Sequence, residues 1–451
     1  MKNYDVIVIG SGPGGSKVAD KCAAAGKKTA IIDVHFGGTC ALRGCTPKKA
    51  MEAVASTLAT ARLLCGHGAP SKNDYRVRWE DLQKHRKQFT EDITKDTIAD
   101  FKKKGIKVIR GEASFTGKNT LRVGKKKYSA EHIVAATGAM PRPLDFPGSK
   151  HLLYSEDFIY QDKLPKKIVF AGGGYIGFEM SHIAAACGAK VVIVSDDAVP
   201  LPQFDPEITK HLIAATEDKG ISVRKGFKVV EIKKQGKSYT VIAENEDGET
   251  QKIKADAVYH AAGRVPRTKA LKLKKAGVKT DDSGAIITAK TLRSKSNNRV
   301  WAVGDVTGKV PLTPAAEVEG SIVVKNILKG KKARMDYAHF PSVLFTHPKL
   351  ASVGKTAAEL DAAGTKYQII ETEITDTLTE RAYHSRCAAA KIFLDKKGEK
   401  ILGAHLIGQH AHETINLFAT AMQHRLIAKD IVKLRLGYPT AGNAVRRFVT
   451  E

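Results

Sequence analysis

Residues 4–15, Tyr-Asp-Val-Ile-Val-Ile-Gly-Ser-Gly-Pro-Gly-Gly, predict how the fold begins. An apolar run typical of a buried strand leads into Gly10, Gly12 and Gly15, which have the spacing G-x-G-x-x-G. Such glycines allow a tight turn and close backbone approach, so a pyrophosphate can lie at the N-terminus of the next helix. Asp33 closes the following strand, where a carboxylate binds a ribose hydroxyl. Together these features favour a dinucleotide site over a simple glycine turn.

The same pattern occurs a second time between residues 167 and 194. After an apolar strand, Gly172, Gly174 and Gly177 repeat the spacing and open another helix. Alternating strands and helices in both copies indicate doubly wound domains with parallel sheets. Two dinucleotide sites in one chain suggest one tightly held and one exchangeable dinucleotide, as hydride transfer from a nicotinamide to a flavin requires.

A close pair of cysteines lies in residues 37–48, Gly-Gly-Thr-Cys-Ala-Leu-Arg-Gly-Cys-Thr-Pro-Lys. Pro47 favours the first turn of a helix, so Cys45 should lie at a helix N-terminus. The helix dipole and Lys48 would lower the pKa of a thiol there. The offset between Cys40 and Cys45 can bring the two sulfurs within bridging distance, which predicts a redox-active pair.

Two other interpretations of the pair are open. The cysteines could be unrelated buried residues, or they could bind a metal, although further Cys or His ligands are lacking nearby. The remaining cysteines are each single and are expected to be small buried hydrophobic residues. They are Cys22, Cys65, Cys187 and Cys387.

Composition indicates an ordinary globular chain with an unusual charge. Its 451 residues, 42% hydrophobic and 27% charged, allow roughly two to four domains. The 74 basic and 47 acidic residues give a net charge of +27. We interpret this as a lysine-rich solvated surface, with attraction to anions as the alternative. Nucleic acid or membrane partners are not expected, because no long basic run and no aromatic-interleaved basic motif occurs.

The expected compartment is the cytoplasm. No apolar run approaches the roughly 18 residues of a membrane helix, and the first apolar stretch runs directly into glycines, unlike a secretory signal. Six cysteines do not make a disulfide scaffold. In a reducing compartment a close pair is more often catalytic than structural.

Further secondary structure follows from the hydrophobic pattern. Residues 76–104 predict helix, and residues 108–134 predict short strands. Residues 340–451 form a separate α+β region, with strands at 342–345, 389–394 and 401–407 and a helix at 413–425. The predicted fold class is α/β: two doubly wound, Rossmann-like dinucleotide-binding domains followed by a C-terminal α+β domain.

Several further motifs extend along nearly the whole chain. They are Gly38-Thr39-Cys40-x4-Cys45-x-Pro-Lys48, Ala136-Thr137-Gly138-x-x-Pro141, Gly174-Tyr175-Ile176-Gly177-x-Glu179, Ala262-Gly263-Arg264-x-Pro266, Val303-Gly304-Asp305, Leu312-Thr313-Pro314-Ala315 and Phe345-Thr346-His347-Pro348. With these motifs the sequence resembles the class I pyridine nucleotide–disulfide oxidoreductases, the family of glutathione reductase, dihydrolipoyl dehydrogenase and mercuric reductase.

The resemblance implies an enzyme that binds FAD, uses NAD(P)H and works as a homodimer on a small-molecule or thiol/disulfide substrate. It divides the chain into an FAD-binding domain in two segments, 1–147 and 268–337, an NAD(P)-binding domain, 148–267, and a dimer-interface domain, 338–451. The run Leu417–Met422 offers an apolar helix face for the dimer.

The resemblance also assigns four catalytic residues. Cys45 would be the thiolate that faces the flavin, and Cys40 the sulfur that exchanges with the substrate. Lys48 and Glu179 would form an ion pair beside the flavin, where a cation favours the anionic reduced ring.

The resemblance assigns the cofactor-binding residues as well. These are Gly10, Gly12, Gly15, Asp33, Thr39, Thr137, Gly138, Gly172, Gly174, Tyr175, Gly177, Asp196, Gly263, Arg264, Gly304, Asp305 and Thr313. Asp305 would hold the ribityl chain of the flavin, and the helix after Thr313 would point its N-terminus at the isoalloxazine ring. Tyr175 would cover the nicotinamide pocket. No metal site is predicted.

One departure from the family concerns thiol exchange. Tyr438 and Asn443 stand where thiol reductases of the family have the His and Glu of His-Pro-Thr-x-x-Glu, whose His is the acid/base acting in the partner subunit. A phenol with a pKa near ~10 is a poor proton shuttle at neutral pH, and an asparagine cannot stabilise an imidazolium. Mercuric reductases also have a tyrosine here, but they use a C-terminal cysteine pair that this chain lacks. Another C-terminal histidine could substitute as the acid/base, although solvated or packing roles are expected for most of them; they are His384, His410, His412 and His424.

The choice of nicotinamide cofactor depends on the end of the second-domain strand. Ser195, Asp196 and Asp197 stand where NADP-using relatives place arginines. An acidic pair repels a 2′-phosphate and accepts hydrogen bonds from a free ribose. The sequence therefore favours NADH over NADPH.

Three functions remain in competition. The leading hypothesis is a flavoprotein that reduces a disulfide or another soft oxidant through Cys40 and Cys45. The second keeps the flavin chemistry but uses quinones, oxygen or metal ions as the acceptor. The third is a non-enzymatic binding protein, which the intact cysteine pair, Lys48 and Glu179 argue against.

Overall fold

The computed structural model describes residues 2–71, 75–330 and 332–450. Its helices are α1 (Pro13–Ala24), α2 (Gly38–Arg43), α3 (Cys45–Leu63), α4 (Trp79–Gln88), α5 (Ile93–Lys103), α6 (Ser155–Tyr160), α7 (Tyr175–Ala186), α8 (Pro206–Glu217), α9 (Thr313–Lys329), α10 (Ala357–Ala362), α11 (Leu378–Ala382), α12 (Ala411–Gln423) and α13 (Ala428–Lys433). Among these described residues, no helix is both long and apolar enough to cross a membrane.

The strands are β1 (Lys2–Ile9), β2 (Thr29–Asp33), β3 (Lys107–Arg110), β4 (Ala113–Gly117), β5 (Thr120–Val123), β6 (Lys126–Ala135), β7 (Ala139–Pro141), β8 (Lys167–Ala171), β9 (Lys190–Ser195), β10 (Ser222–Lys225), β11 (Lys228–Gln235), β12 (Ser238–Glu244), β13 (Thr250–Ala255), β14 (Ala257–His260), β15 (Arg264–Pro266), β16 (Val300–Ala302), β17 (Ser342–Leu344), β18 (Lys349–Gly354), β19 (Tyr367–Glu373), β20 (Ala389–Asp395) and β21 (Ile401–Gly408). Short 3₁₀ turns span Ser149–His151, Lys269–Leu271, Leu273–Ala276, Gly304–Thr307 and Ala441–Val449.

One compact unit comprises Met1–Lys48, Arg86–Arg142 and Gly263–Tyr337. Its sheet has the strand order β3-β2-β1-β6-β5-β4, and β16 also pairs with β6. Strands β3, β2, β1, β6 and β16 are parallel, whereas β4 and β5 extend the sheet in antiparallel fashion. Residues 6–8 of β1 are fully buried, because a central parallel strand is covered on both faces.

The other compact unit comprises Lys49–His85, Pro143–Ala262 and Ala338–Glu451. It contains a parallel sheet with the order β10-β9-β8-β14 and an antiparallel sheet, β11-β12-β13. A third, antiparallel sheet has the order β17-β18-β21-β20-β19. Ile415 and Phe418 of α12 are completely buried in the core that this third sheet shares with α12. The unit thus combines the second dinucleotide-binding fold with the C-terminal α+β region.

The two predicted strand–helix–strand copies are confirmed. The first is β1-α1-β2 and the second is β8-α7-β9, and both pairs of strands are parallel. The predicted C-terminal strands and the long helix after them are also present, as β17, β20, β21 and α12.

The secondary structure differs from the expectation in two places. The helical region 76–104 is divided into α4 and α5, with a break that leaves Phe89 exposed. Strands β18 and β19 were not predicted. Strand β19 lies at the edge of its sheet and exposes most of its side chains, so it lacks the apolar pattern of a buried strand.

Candidate active site

The first glycine loop connects β1 to α1 and leaves the start of that helix open. Gly10 has φ +108°, and a Cβ there would lie 2.1 Å from the Ala136 carbonyl oxygen. A Cβ on Gly15 would lie 2.1 Å from the carbonyl oxygen of Gly10. A Cβ on Gly12, by contrast, would meet no atom of the described chain within 4 Å, and this residue caps α1 without a side-chain hydrogen bond. The open helix start therefore suits a pyrophosphate.

Asp33 lies at the end of β2, as predicted, and is tied to the glycine loop. The amide and the hydroxyl of Ser11 donate to Asp33 Oδ2 at 2.6 and 2.7 Å. The amide of Val34 donates to the other carboxylate oxygen at 2.7 Å. These bonds orient the carboxylate at the edge of the loop. Its contact with a ribose remains a prediction, and Ser11 is a supporting residue that the sequence analysis missed.

The two cysteines lie on consecutive helices. Cys40 belongs to α2, and Cys45 is the first residue of α3, the helix start that Pro47 predicts. Cys40 is half-buried and Cys45 is exposed. Thr313, the first residue of α9, places its hydroxyl oxygen 3.3 Å from the Cys40 sulfur and 3.8 Å from the Cys45 sulfur.

The surroundings distinguish the two sulfurs. The pKa of Cys40 is raised above its ordinary value, first by its hydrogen bond with the Cys45 thiol and then by burial, while the Thr313 hydroxyl opposes the shift. The start of α3 favours negative charge on the Cys45 sulfur. The geometry therefore supports Cys45 as the thiolate of the pair and Cys40 as the sulfur that keeps its proton.

Gly38 brings the cysteine-bearing segment against the glycine loop. It has φ +69°, and a Cβ there would lie 2.5 Å from the Gly12 Cα atom. A Cβ on Gly44 would lie 3.1 Å from the Thr39 carbonyl oxygen, so the turn between the two cysteines is also compact. The redox pair and the candidate pyrophosphate site are therefore direct neighbours.

A buried glutamate supports the turn that carries Asp305. The amide of Gly304 and the hydroxyl of Tyr337 both donate to the carboxyl group of Glu319. Burial raises the pKa of Glu319 to about 7. The sequence analysis missed this residue. The sequence pattern that points to Glu319 is a carboxyl group on the face of α9 that otherwise carries small apolar residues.

Two other predicted residues of this unit donate hydrogen bonds to backbone carbonyl groups. Arg264 donates to the Ala139 carbonyl oxygen at 2.6 Å, and the Thr137 hydroxyl donates to the Arg267 carbonyl oxygen at 2.7 Å. Burial raises the pKa of Asp305, and the charge of Arg264 opposes the shift. The predicted positions in the unit of the first glycine loop include Thr39, Thr137, Gly138, Gly263, Arg264, Gly304, Asp305 and Thr313. Their contacts with a cofactor remain predictions.

The second glycine loop repeats the geometry of the first in the other unit. A Cβ on Gly172, whose φ is +119°, would lie 2.3 Å from the Ala261 carbonyl carbon. A Cβ on Gly177 would lie 2.4 Å from the Gly172 carbonyl oxygen. Gly174 caps α7 without a side-chain hydrogen bond, so this helix start is also open to an anion.

The acidic residues after β9 lie where the sequence places them. Asp196 and Asp197 are exposed just beyond the end of the strand. Burial raises the pKa of Asp197, and the charge of Asp196 adds to the shift. Ser195 is buried, and its hydroxyl forms no hydrogen bond with the described residues. These oxygens are suited to accept hydrogen bonds from a ribose.

Tyr175 opens α7 next to the second loop. Its hydroxyl forms hydrogen bonds with Ser342 and Gln203, and burial raises its pKa to about 12. Its ring centre lies 5.8 Å from that of Phe204. The position fits the predicted cover of a nicotinamide pocket, which remains a prediction.

Glu179 is almost completely buried and accepts bonds from two residues of its own unit. Lys49 Nζ lies 3.2 and 3.4 Å from its two carboxylate oxygens, and the amide of Phe345 donates to it at 2.8 Å. Lys49 Nζ also lies 3.2 Å from the centre of the Phe345 ring. Lys49 and Phe345 were not predicted to contact Glu179. The predicted pairing of Lys48 with Glu179 remains a prediction.

Tyr438 and Asn443 do not form an acid/base pair of the His–Glu type. Tyr438 is 75% exposed, and the Asn443 side chain donates to the Leu436 carbonyl oxygen at 3.4 Å. Burial lowers the pKa of His412 to about 4, so its ring is unprotonated and only weakly basic at neutral pH. The His384 ring stacks on His67 at 3.7 Å.

The described residues fit a bound FAD. The first loop provides an uncapped helix start, open space over Gly12 and a fixed carboxylate at Asp33. Within the described part of the chain, no group of three or more His, Cys, Asp or Glu side chains is arranged to hold a metal ion.

We expect Gly12→Val to reduce FAD binding without unfolding the protein. The backbone at Gly12 has φ −69°, which valine tolerates, and the added side chain fills only the space over α1. The flavin-to-protein absorbance ratio should show affinity lowered at least about tenfold, a loss of roughly 1.4 kcal/mol. Gly437→Val, at an exposed glycine with similar room, is the control. Equal FAD content in the two variants would contradict the assignment.

Comparison with known proteins agrees with this geometry. Residues 4–320 match the family model described as "Pyridine nucleotide-disulphide oxidoreductase", and residues 340–448 match its "dimerisation domain". Mitochondrial dihydrolipoyl dehydrogenase of Pisum sativum is 31% identical over 461 residues, covering 98% of this chain and 90% of the relative. Mercuric reductase of Staphylococcus aureus is 29% identical over 455 residues, covering 98% of this chain and 81% of the relative.

A solved structure extends the comparison to the fold. The Cu(II) complex of the HOCl-induced flavoprotein disulfide reductase RclA from Escherichia coli matches with a TM-score of 0.89 and 25% sequence identity. The match covers 100% of this chain and 99% of that chain. The matched dimerisation domain indicates a homodimer. The chain therefore belongs to the pyridine nucleotide–disulfide oxidoreductases, FAD-dependent enzymes that take electrons from NAD(P)H.

Proposed function

We propose that this enzyme passes electron pairs from NAD(P)H, through FAD and the Cys40–Cys45 pair, to a disulfide or another soft oxidant. The observation that carries the proposal is the position of Thr313, whose hydroxyl lies 3.3 and 3.8 Å from the two sulfurs. The thiols and the candidate FAD loop belong to one compact unit. Bound FAD supplies the hydride acceptor and the route for two electrons to the sulfurs.

The chain's own residues account for the reduction of a disulfide. The Cys40 thiolate attacks one sulfur of the acceptor and releases the other as a thiolate. The Cys45 thiolate then attacks Cys40, closes the Cys40–Cys45 disulfide and releases the second product. The pair loses two electrons and two protons, and the acceptor gains both as it forms two thiols. Thr313 donates to the Cys40 sulfur and so stabilises its thiolate.

Proton removal from Cys40 is the difficult part of this reaction. The pKa of Cys40 is raised, so at neutral pH the reactive thiolate is scarce. The family's acid/base position holds Tyr438, a phenol with an ordinary pKa near ~10. The thiolate fraction increases as the pH rises towards the pKa of Cys40, so the rate of disulfide reduction increases with pH.

We expect Tyr438→His combined with Asn443→Glu to raise disulfide turnover at pH 7 by at least about tenfold. Positioned acid/base groups contribute roughly 10²–10⁴ to a rate, and the pair restores the family's dyad. The measurement is kcat for glutathione disulfide across a pH range of about 6 to 10. The wild-type rate should rise with pH, and that of the variant should level off near neutrality. Fast wild-type turnover at pH 7, unchanged in Tyr438→Phe, would show that another residue is the base.

A second candidate acceptor is a thiophilic metal ion. Two soft thiols suit such ions, and metal reduction needs no proton from the C-terminal dyad. One relative is a mercuric reductase, and one structural neighbour is described as a Cu(II) complex. For Cu(II), the dithiol reduces two ions to Cu(I), becomes a disulfide and releases two protons.

We expect Cys40→Ser to abolish NADH oxidation with disulfides, Hg(II) or Cu(II), and to preserve it with quinones. Only acceptors that react at the sulfurs need the exchanging thiol. The measurement is the rate of NADH oxidation with each of these acceptors, with glutathione disulfide and lipoamide as the disulfides. The acceptors that lose activity in Cys40→Ser identify the acceptor class. Cys65→Ser, which changes a cysteine outside the pair, is the control. Full disulfide turnover in Cys40→Ser would contradict the proposed route.

The preferred reductant is proposed to be NADH. Exposed Asp196 and Asp197 repel a 2′-phosphate and can accept bonds from a free ribose. Asp196→Arg should therefore raise the kcat/KM ratio of NADPH over NADH by about tenfold or more, as expected for a new charge-assisted bond. Asp162→Arg makes the same charge change at an exposed site and should leave the ratio unaltered. An unaltered ratio in Asp196→Arg would exclude this residue from the discrimination.

The assembly is proposed to work as a homodimer through residues 340–448, which match the dimerisation domain. A cytoplasmic location is part of the proposal, because a close cysteine pair in a reducing compartment is more often catalytic than structural.

A further inference from the structure

The second compact unit contains a cavity that none of the predicted cofactor residues lines. Its volume is about 1160 Å³, which exceeds the space that a typical small-molecule ligand needs. The C-terminal half of α3 and the later turns of α7 and α8 form one side. The segments 345–348 and 375–387 contribute to the other side.

Positive side chains without partners line this cavity. The side chains of Lys219, Arg381 and Arg386 form no hydrogen bond and no ion pair with the described residues. Arg62 donates to the Tyr75 carbonyl oxygen and so keeps its charge without a carboxylate. The lining carboxylates are fewer, and one of them, Glu52, pairs with Lys349 at 3.3 Å. The cavity therefore has an excess of positive charge.

The positive charge in the cavity lowers the pKa values of neighbouring basic groups. Burial lowers the pKa of His347 to about 3, and the charges of Lys219 and Lys349 add to the shift. The pKa of His182 is lowered well below its ordinary value, first by burial and then by Lys219. Burial also lowers the pKa of Lys219, although its side chain keeps contact with solvent, and Arg62 adds to that shift. The charge of Asp218 opposes the shift of Lys219, and the side chains of Lys219, Arg381 and Arg386 are exposed to solvent within the cavity.

The rest of the lining combines polar side chains with an apolar part. Small and aliphatic side chains from three helices occupy the wall between the cations, among them Ala59, Leu63, Ala186, Ala214 and Leu378. The stacked rings of His67 and His384 also line the cavity. Such a surface packs against hydrocarbon or an aromatic ring, while the cations bind separate negative groups.

We propose that this cavity is a second ligand site, which takes a small organic anion with an apolar body and at least two negative groups. The inference goes beyond the proposed electron transfer, because the lining contains neither Cys40 and Cys45 nor the glycine loops. The three unpaired cations share the lining of one cavity with aliphatic side chains, whereas lysines on an open surface are each hydrated separately. The site also gives part of the chain's basic excess a function.

The test uses naphthalene-1,5-disulfonate as the probe, a flat apolar body with two fixed negative charges. Calorimetric titration of the FAD-loaded dimer, with saturating NAD⁺ to fill the dinucleotide site, should show one binding site per subunit. Lys219→Glu should weaken binding at least about tenfold, or roughly 1.4 kcal/mol. Ala214→Trp, which fills the cavity without changing its charge, should block binding.

Lys225→Glu is the matched control, because it makes the same charge change at an exposed lysine outside the lining. It should leave the affinity within about twofold of the original. Unchanged FAD content and dimer mass establish that each variant is folded. Absence of binding at about 1 mM probe would overturn the proposal. This holds also where binding is absent because the second subunit closes the cavity. An equal loss in Lys219→Glu and Lys225→Glu, or full binding in Ala214→Trp, would overturn it as well.

Discussion

The close contact between Gly38 and Gly12 holds the redox thiols against the dinucleotide loop. A Cβ on Gly38 would lie 2.5 Å from the Gly12 Cα atom, so α2 can approach the loop only because position 38 lacks a side chain. Helix α9 meets α1 in the same way, since a Cβ on Gly320 would lie 2.8 Å from the Gly14 carbonyl oxygen. Three helices thus converge through backbone contacts, and the positions of Cys40 and Thr313 depend on that convergence.

The convergence also concentrates positive helix ends where negative charge is expected. Helix α1 begins after Gly12, α3 begins at Cys45, and α9 begins at Thr313. Partial positive charge at such ends stabilises phosphates and thiolates. The hydrogen bond between the thiols then allows one negative charge on the pair while Cys40 keeps its proton. With Tyr438 at the acid/base position, this local electrostatic arrangement governs how easily Cys40 reacts.

The second unit depends on a buried charge in addition to the close backbone contacts of its glycine loop. Glu179 is 1% exposed, and a carboxylate in that position requires its partners Lys49 and Phe345, because an unpaired buried charge is strongly destabilising. Phe345 contributes both its amide to Glu179 and its ring to Lys49, and it also lines the cationic cavity. The segment 345–348 therefore connects the ion pair with the wall of that cavity.

Features that depend on local backbone rules were predictable from the sequence. Both glycine loops, the strands and helices around them, and the helix that starts at Cys45 follow from spacing, from Pro47 and from strand burial. The meeting of distant side chains, in contrast, became visible only in the folded structure. Thr313 contacts Cys40, 273 positions away, and Lys49 pairs with Glu179, 130 positions away. The support of Gly304 by Glu319 and the grouping of Lys219 with Arg381 and Arg386 also appear only after folding. Local conformation is set by neighbouring residues along the chain, whereas these contacts require the packing of whole helices and sheets.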